Sequence, residues 1–176
     1  LARQHSYEPW ELSEALDLGD VASVPLDECL EIGVGPGSSA GIGLALAAGL
    51  AQAGAHLVLN GRDPVKLAAA ARSLAHQGHT VHTSAFDVTS GDATAVAIQQ
   101  IEHDIGPIEV LVNNAGIQRR APFQDFPAEQ WSELMRTNVD SVFHVGQAVA
   151  RFMVQRKRGR IINVCSVQSE LGRPNI

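Results

Sequence analysis

The first residues here whose types and spacing could do chemistry are Gly35-Pro36-Gly37-Ser38-Ser39-Ala40-Gly41-Ile42-Gly43. Glycines let a backbone come close to a phosphate. The stretch runs into Ile42–Ala53, which is Ala/Leu-rich and of helical length. A helix N-terminus offers free N–H groups and a partial positive charge, so a pyrophosphate would be stabilised there. Taken alone, the loop is equally a glycine turn that binds nothing. Further groups follow: Arg62 after Asn60-Gly61, Asp87-Val88, Asn113-Asn114-Ala115-Gly116, Asn138, and Ser166 after an apolar run. Arg62 could fork onto a phosphate. Asn138 falls inside a helical stretch, where asparagine is disfavoured. Cys29 and Cys165 lack metal-ligand spacing, and His76, His79 and His82 straddle a turn. No metal site is expected, and Cys165 reads as a small buried residue.

These groups need a frame. His56–Leu59, Thr80–Phe86, Ile108–Val112 and Ile161–Val164 read as short buried strands. Between them lie helical stretches: Ile42–Ala53, one from Asp63-Pro64 to about His76, one from Thr89 or Ser90 to about Asp104, and a long one from Phe126 to about Gln155. Asp63 before Pro64 reads as a helix cap. Strand and helix alternate through short turns, which predicts an α/β fold: a Rossmann-like, doubly wound parallel sheet covered on both faces. Ligands bind such sheets at the carboxyl ends of the strands, where the strand order switches. Residues 37–43, 60–62, 87–88, 113–116 and 165–169 fall at those ends.

The motifs together resemble the short-chain dehydrogenase/reductase family. Gly37-x-x-x-Gly41-x-Gly43, Asp87-Val88, Asn113-Asn114-Ala115-Gly116, Asn138 and Ser166 carry the resemblance in unbroken order over residues 37–176. Within the family, Leu59–Asp63 and Ser166–Ile176 resemble its gluconate 5-dehydrogenase branch, which interconverts D-gluconate and 5-keto-D-gluconate with a nicotinamide cofactor. The resemblance implies that Gly37, Ser38, Ser39, Gly41, Ile42 and Gly43 hold the pyrophosphate. Asp87 and the backbone at Val88 would meet the adenine, and Asn113, Ala115 and Gly116 the adenosine ribose. Asn138 would bend its helix and hold a water in a proton relay. Ser166 would hydrogen-bond the substrate oxygen. With Arg62 in place of an acid after the second strand, NADP(H) is favoured over NAD(H); Ala40, where many NADP-using relatives carry a base, argues the other way. A small-molecule sugar acid is the expected substrate. Full-length relatives are expected to be homo-oligomers. The alternatives are a non-catalytic nucleotide-binding fragment or a 3-ketoacyl-type reductase.

Composition narrows the classes. The 176 residues are 45% hydrophobic and 18% charged, enough for a core and too few charges for a disordered chain. The net charge is −6 without a basic run, so neither nucleic acid nor an anionic membrane is an expected partner. No apolar run has the length of a membrane helix and no signal-peptide pattern opens the chain, which gives a cytoplasmic, reducing setting as the expectation. Residues 1–36 carry eight acids against Arg3, a balance of −7, while the remainder stands at +1. This segment is expected to be an acidic, atypical extension, with residues 37–176 a partial dinucleotide-binding domain. Leu30–Pro36 makes a poor central strand: Glu31 would be buried, and Gly33, Gly35 and Pro36 weaken it. The resemblance places a Tyr about 13 residues after Ser166 and a Lys about four later, the pair that protonates the carbonyl. That count passes Ile176, so the catalytic unit is expected to be incomplete in these residues.

Overall fold

The structure is a computed structural model; it describes the backbone of residues 30–34 and the whole of residues 41–166. Five strands appear in it: β1 (Leu30–Val34), β2 (His56–Gly61), β3 (Val81–Ala85), β4 (Ile108–Asn113) and β5 (Arg160–Asn163). Five helices, counting short ones apart, connect or flank them. They are α1 (Gly41–Gln52), α2 (Pro64–Ala75), α3 (Gly91–Asp104), α4 (Ala128–Met135) and α5 (Ser141–Arg156). A 3₁₀ turn at Phe123–Asp125 precedes α4, and a π-helical turn at Arg136–Asp140 joins α4 to α5.

All strand pairs are parallel, in the order β3-β2-β1-β4-β5. The order reverses between β1 and β4, and Val34 lies opposite Asn113 there. The alternating sequence pattern produces this directly. On β2, Leu57 and Leu59 point to one face and pack with Ala47, Ala51, Leu67 and Leu74 of α1 and α2. Val58 points to the other face and joins Ile98, Ile101, Val145 and Val149 of α3 and α5. A period of two thus feeds two cores, one on each side of the sheet. Val149 is fully buried, against the expectation that α5 would leave it exposed. The outer strands β3 and β5 are partly exposed.

The expected central strand exists, in a place the sequence disfavoured. Leu30–Val34 forms β1, paired on both sides, despite Gly33 and the acid at Glu31. Neighbours on both edges supply the hydrogen bonds that the strand's poor propensity does not. The sheet therefore reaches into the segment read as an extension. Residues 1–29 and 35–40, with most of that segment's charge, lie outside the described residues.

Helix ends follow their sequence signals. Asp63 caps α2, its carboxylate accepting from the N–H groups of Val65 and Lys66. Ser90 caps α3 by accepting from Ala93 N–H. At the opposite end of the molecule a buried polar latch joins three elements. The Arg156 guanidinium from α5 holds Glu102 of α3 at 2.8 Å and donates to the Ile108 carbonyl at the start of β4. Glu102 also accepts from Ile108 N–H at 3.0 Å. Beside it, Glu109 is buried and paired with Arg158 at 2.8 Å.

Candidate cofactor and substrate site

The carboxyl ends of β1, β2, β4 and β5 share one edge of the sheet. Helix α1, the next described element after β1, begins at Gly41 with φ +61°. A side chain is strained in that left-handed conformation. Gly43 is buried and Ile42 is exposed beside it. The helix follows β1, the strand beside the order switch, and packs against β1 and β2. Gly37, Ser38 and Ser39 lie outside the described residues.

Asn60 reaches across to the next strand from β2. Its buried amide donates to the carbonyls of Ser84 at 3.0 Å and Phe86 at 3.2 Å. This fixes the exit of β3 one residue before Asp87. The sequence reading used Asn60 only as part of a family stretch; a polar residue ending the run Leu57-Val58-Leu59 was the signal for a buried brace. Arg62 follows on the exposed surface. Asp87 is half-buried and folds into its own turn, accepting from Thr89 N–H at 2.9 Å and Thr89 Oγ1 at 2.8 Å. Burial pushes its carboxyl up, but the two Thr89 hydrogen bonds, helped by the charges of Arg62 and Arg136, outweigh it and hold the pKa below its ordinary value. Val88 has its side chain in the core, so only its backbone faces the edge.

Asn113 ends β4 with a buried side chain that donates to Asn163 Oδ1 at 2.8 Å, and its carbonyl accepts from Val164 N–H. The Asn113–Asn163 pair braces β4 to β5. Ala115 packs on the core and Gly116 turns out of it. The next residue meets Asn138: Ile117 N–H donates to Oδ1 at 2.8 Å, and Nδ2 donates to the Ile117 carbonyl at 2.9 Å. Asn138 sits in the π-helical turn, so the predicted single long helix is interrupted where a bend was expected. Its amide grips the loop backbone, a contact that spacing alone does not reveal.

Ser166 lies exposed beyond β5, at the same edge as Asn113. Residues 167–176, which include Val167–Ser169, are outside the described residues. Cys165 is exposed, which corrects the expected buried residue. It follows an outer strand of the described sheet, and its thiol contacts the Asn163 carbonyl at 3.6 Å. Among the described residues no group of three or more His, Cys, Asp or Glu side chains gathers to hold a metal. No helix among them is long and apolar enough to cross a membrane.

The order switch, the positive-φ glycine that opens α1 and the Asn113–Asn163 brace are the features that a family assignment must account for, and comparison with known proteins gives the class. The short chain dehydrogenase family model matches residues 36–176, and the chain belongs to that family. It is 55% identical over 140 residues to the gluconate 5-dehydrogenase of Gluconobacter oxydans, covering 80% of this chain and 55% of that protein. It is 47% identical over 140 residues to the 5-keto-D-gluconate 5-reductase of Escherichia coli K12, with the same coverage. Among solved structures, a gluconate 5-dehydrogenase from Burkholderia cenocepacia in complex with NADP and tartrate superposes with a TM-score of 0.81. That match is 50% identical and covers 86% of this chain and 58% of that one. The chain spans about half the length of the curated relatives it matches.

Proposed function

We propose that this chain forms the cofactor-binding part and the substrate-orienting serine of an NADP(H)-dependent oxidoreductase that interconverts D-gluconate and 5-keto-D-gluconate. The observation that carries the reading is that α1 opens at Gly41, with φ +61°, in the connection leaving β1, the strand beside the order switch. The residues fit a dinucleotide: first-turn N–H groups for a pyrophosphate, and the exposed Arg62 at the β2 end for a 2′-phosphate. The relatives' printed activities, and the NADP in the Burkholderia structure, support the choice of substrate and cofactor. The cofactor, when bound, supplies the hydride exchange.

Gly37, Ser38, Ser39, Gly41, Ile42 and Gly43 cradle its phosphates, and Asp87, Val88, Asn113, Ala115 and Gly116 line its adenosine half. Ser166 donates to the substrate oxygen and orients the carbonyl. Asn138 spends one Nδ2 hydrogen and one Oδ1 lone pair on Ile117, and retains capacity to hold a water. Proton transfer to the carbonyl is the task of the Tyr and Lys that the family resemblance implies, and none of the described residues is assigned to it. Setting is cytoplasmic, and the complete protein a homo-oligomer.

The test joins residues 1–176 to the remaining C-terminal portion of the Gluconobacter relative and assays ketone reduction with NADPH. The reading requires faster turnover of 5-keto-D-gluconate than of acetoacetyl-CoA. The opposite preference would favour a ketoacyl-type reductase, and no turnover of either would favour a binding fragment.

A further inference from the structure

Two adjacent side-chain grips hold the loop that leaves β4. Asn138 makes two hydrogen bonds to the backbone of Ile117, at 2.8 and 2.9 Å. Two residues on, the Arg119 guanidinium forks onto Glu133 of α4, with Nε to Oε2 at 3.0 Å and Nη2 to Oε1 at 2.9 Å. The same guanidinium donates to the Gln118 carbonyl at 3.2 Å, closing the stretch on itself. In an unbroken α-helix, residues five apart such as 133 and 138 stand about 140° apart around the axis, and do not share a face. The π-helical turn at Arg136–Asp140, which contains Asn138, underwinds the helix on the way from one to the other. Both side chains consequently reach one three-residue stretch of loop.

We propose that Glu133 is a positioning residue: through Arg119 it sets the loop in the register at which Asn138 grips Ile117, so that ion pair, π-turn and Asn138 act as one unit. The inference rests on the site reading above for its purpose, because Asn138 belongs to that site, but not for its test. A fork this exposed is a modest interaction, so its effect belongs to local order and not to global stability.

Amide hydrogen exchange by NMR tests it on residues 1–176 joined to the C-terminal portion of the Gluconobacter relative, followed at Ile117 N–H and at the Asn138 side-chain amide. Glu133→Gln is expected to speed Ile117 exchange about two- to fivefold and to shift the Asn138 amide resonances, while the amides of β2 and β4 keep their rates. The exchanged pair Arg119→Glu with Glu133→Arg is expected to restore both. Unchanged Ile117 exchange in Glu133→Gln would overturn the proposal, as would a uniform rise across the sheet or the absence of rescue. Failure of the functional reading shows separately, as a wild-type chain that does not bind NADPH.

Discussion

Arg62 is the residue on which cofactor choice turns. It stands exposed after β2, while the neighbouring Asp63 spends its carboxylate on the α2 cap. That carboxylate keeps its charge, but it is turned to the N–H groups of Val65 and Lys66 and lies 3.8 Å from the Lys66 ammonium. Arg62→Asp removes a charge-assisted contact of roughly 1.5–3 kcal/mol. In the chimaeric enzyme it is expected to lower the NADPH-to-NADH ratio of kcat/KM by roughly 10- to 100-fold; an unchanged ratio would show that Arg62 does not meet the phosphate. Asp87 gives a second test at this scale. Its pKa is depressed in the folded chain, so its stabilising contribution is present above the unfolded value of about 3.9 and is lost as pH falls through the folded value. Urea midpoints should show Asp87→Asn costing most near neutral pH, with the gap from wild type closing below about pH 4. A gap independent of pH would mean that the Thr89 bonds do not depend on the charge. Residue types were legible at this scale. Arg62, Asp87, Asn113 and Ser166 all sit at the predicted edge. The partners of Asn60 and Asn138 were not, because each binds backbone more than twenty residues away in sequence.

Among elements, strands and helices were readable wherever apolar period and end signals agreed. Asp63-Pro64 opened α2 and Gly106-Pro107 followed α3 as the spacing predicts. Two elements escaped. The strand β1 has unfavourable residues and exists because β2 and β4 flank it, a tertiary effect that no window of sequence contains. The π-turn at Arg136–Asp140 leaves hydrophobic periodicity nearly intact on either side, so only the misplaced Asn138 hinted at it. The Glu102–Arg156–Ile108 latch was also silent in sequence, since its two charges lie 54 residues apart. It ties α3 and α5 to the start of β4 in a place where Glu102 is only 9% and Arg156 22% exposed. Glu102→Ala would leave a largely buried cation and an unpaired Ile108 N–H. Removing one member of such a pair is expected to cost about 3–5 kcal/mol. Urea unfolding would measure it, and a loss under 1 kcal/mol would show the latch behaving as a surface ion pair.

The whole molecule presents a parallel sheet whose two central cores are closed and whose described outer strands are not. β5 pairs only with β4 among the described strands, and Ile161 and Val164 are partly exposed along it. Phe143 on α5 is 61% exposed. Open strand edges and large apolar side chains promote association. Residues 1–176 alone are therefore expected to self-associate in size-exclusion chromatography at micromolar concentration, and Ile161→Lys to reduce it. A monodisperse monomer with a cooperative melt would show these surfaces to be tolerated. The fold class was legible from alternation alone, and the family from five ordered motifs, because both depend on local pattern.

The central claim is that the order switch at β1 and β4 binds NADP(H) through the start of α1, and calorimetric titration of the chimaera, residues 1–176 joined to the C-terminal portion of the Gluconobacter relative, with NADPH tests it most directly. Wild type should bind one NADPH per chain, more tightly than NADH. Gly41→Val, which forces a branched side chain into φ +61°, should weaken binding at least tenfold while leaving the far-ultraviolet circular dichroism of the sheet and its helices intact. A wild-type chain that takes up no NADPH, or a Gly41→Val chain that binds it as well as wild type, would contradict the account.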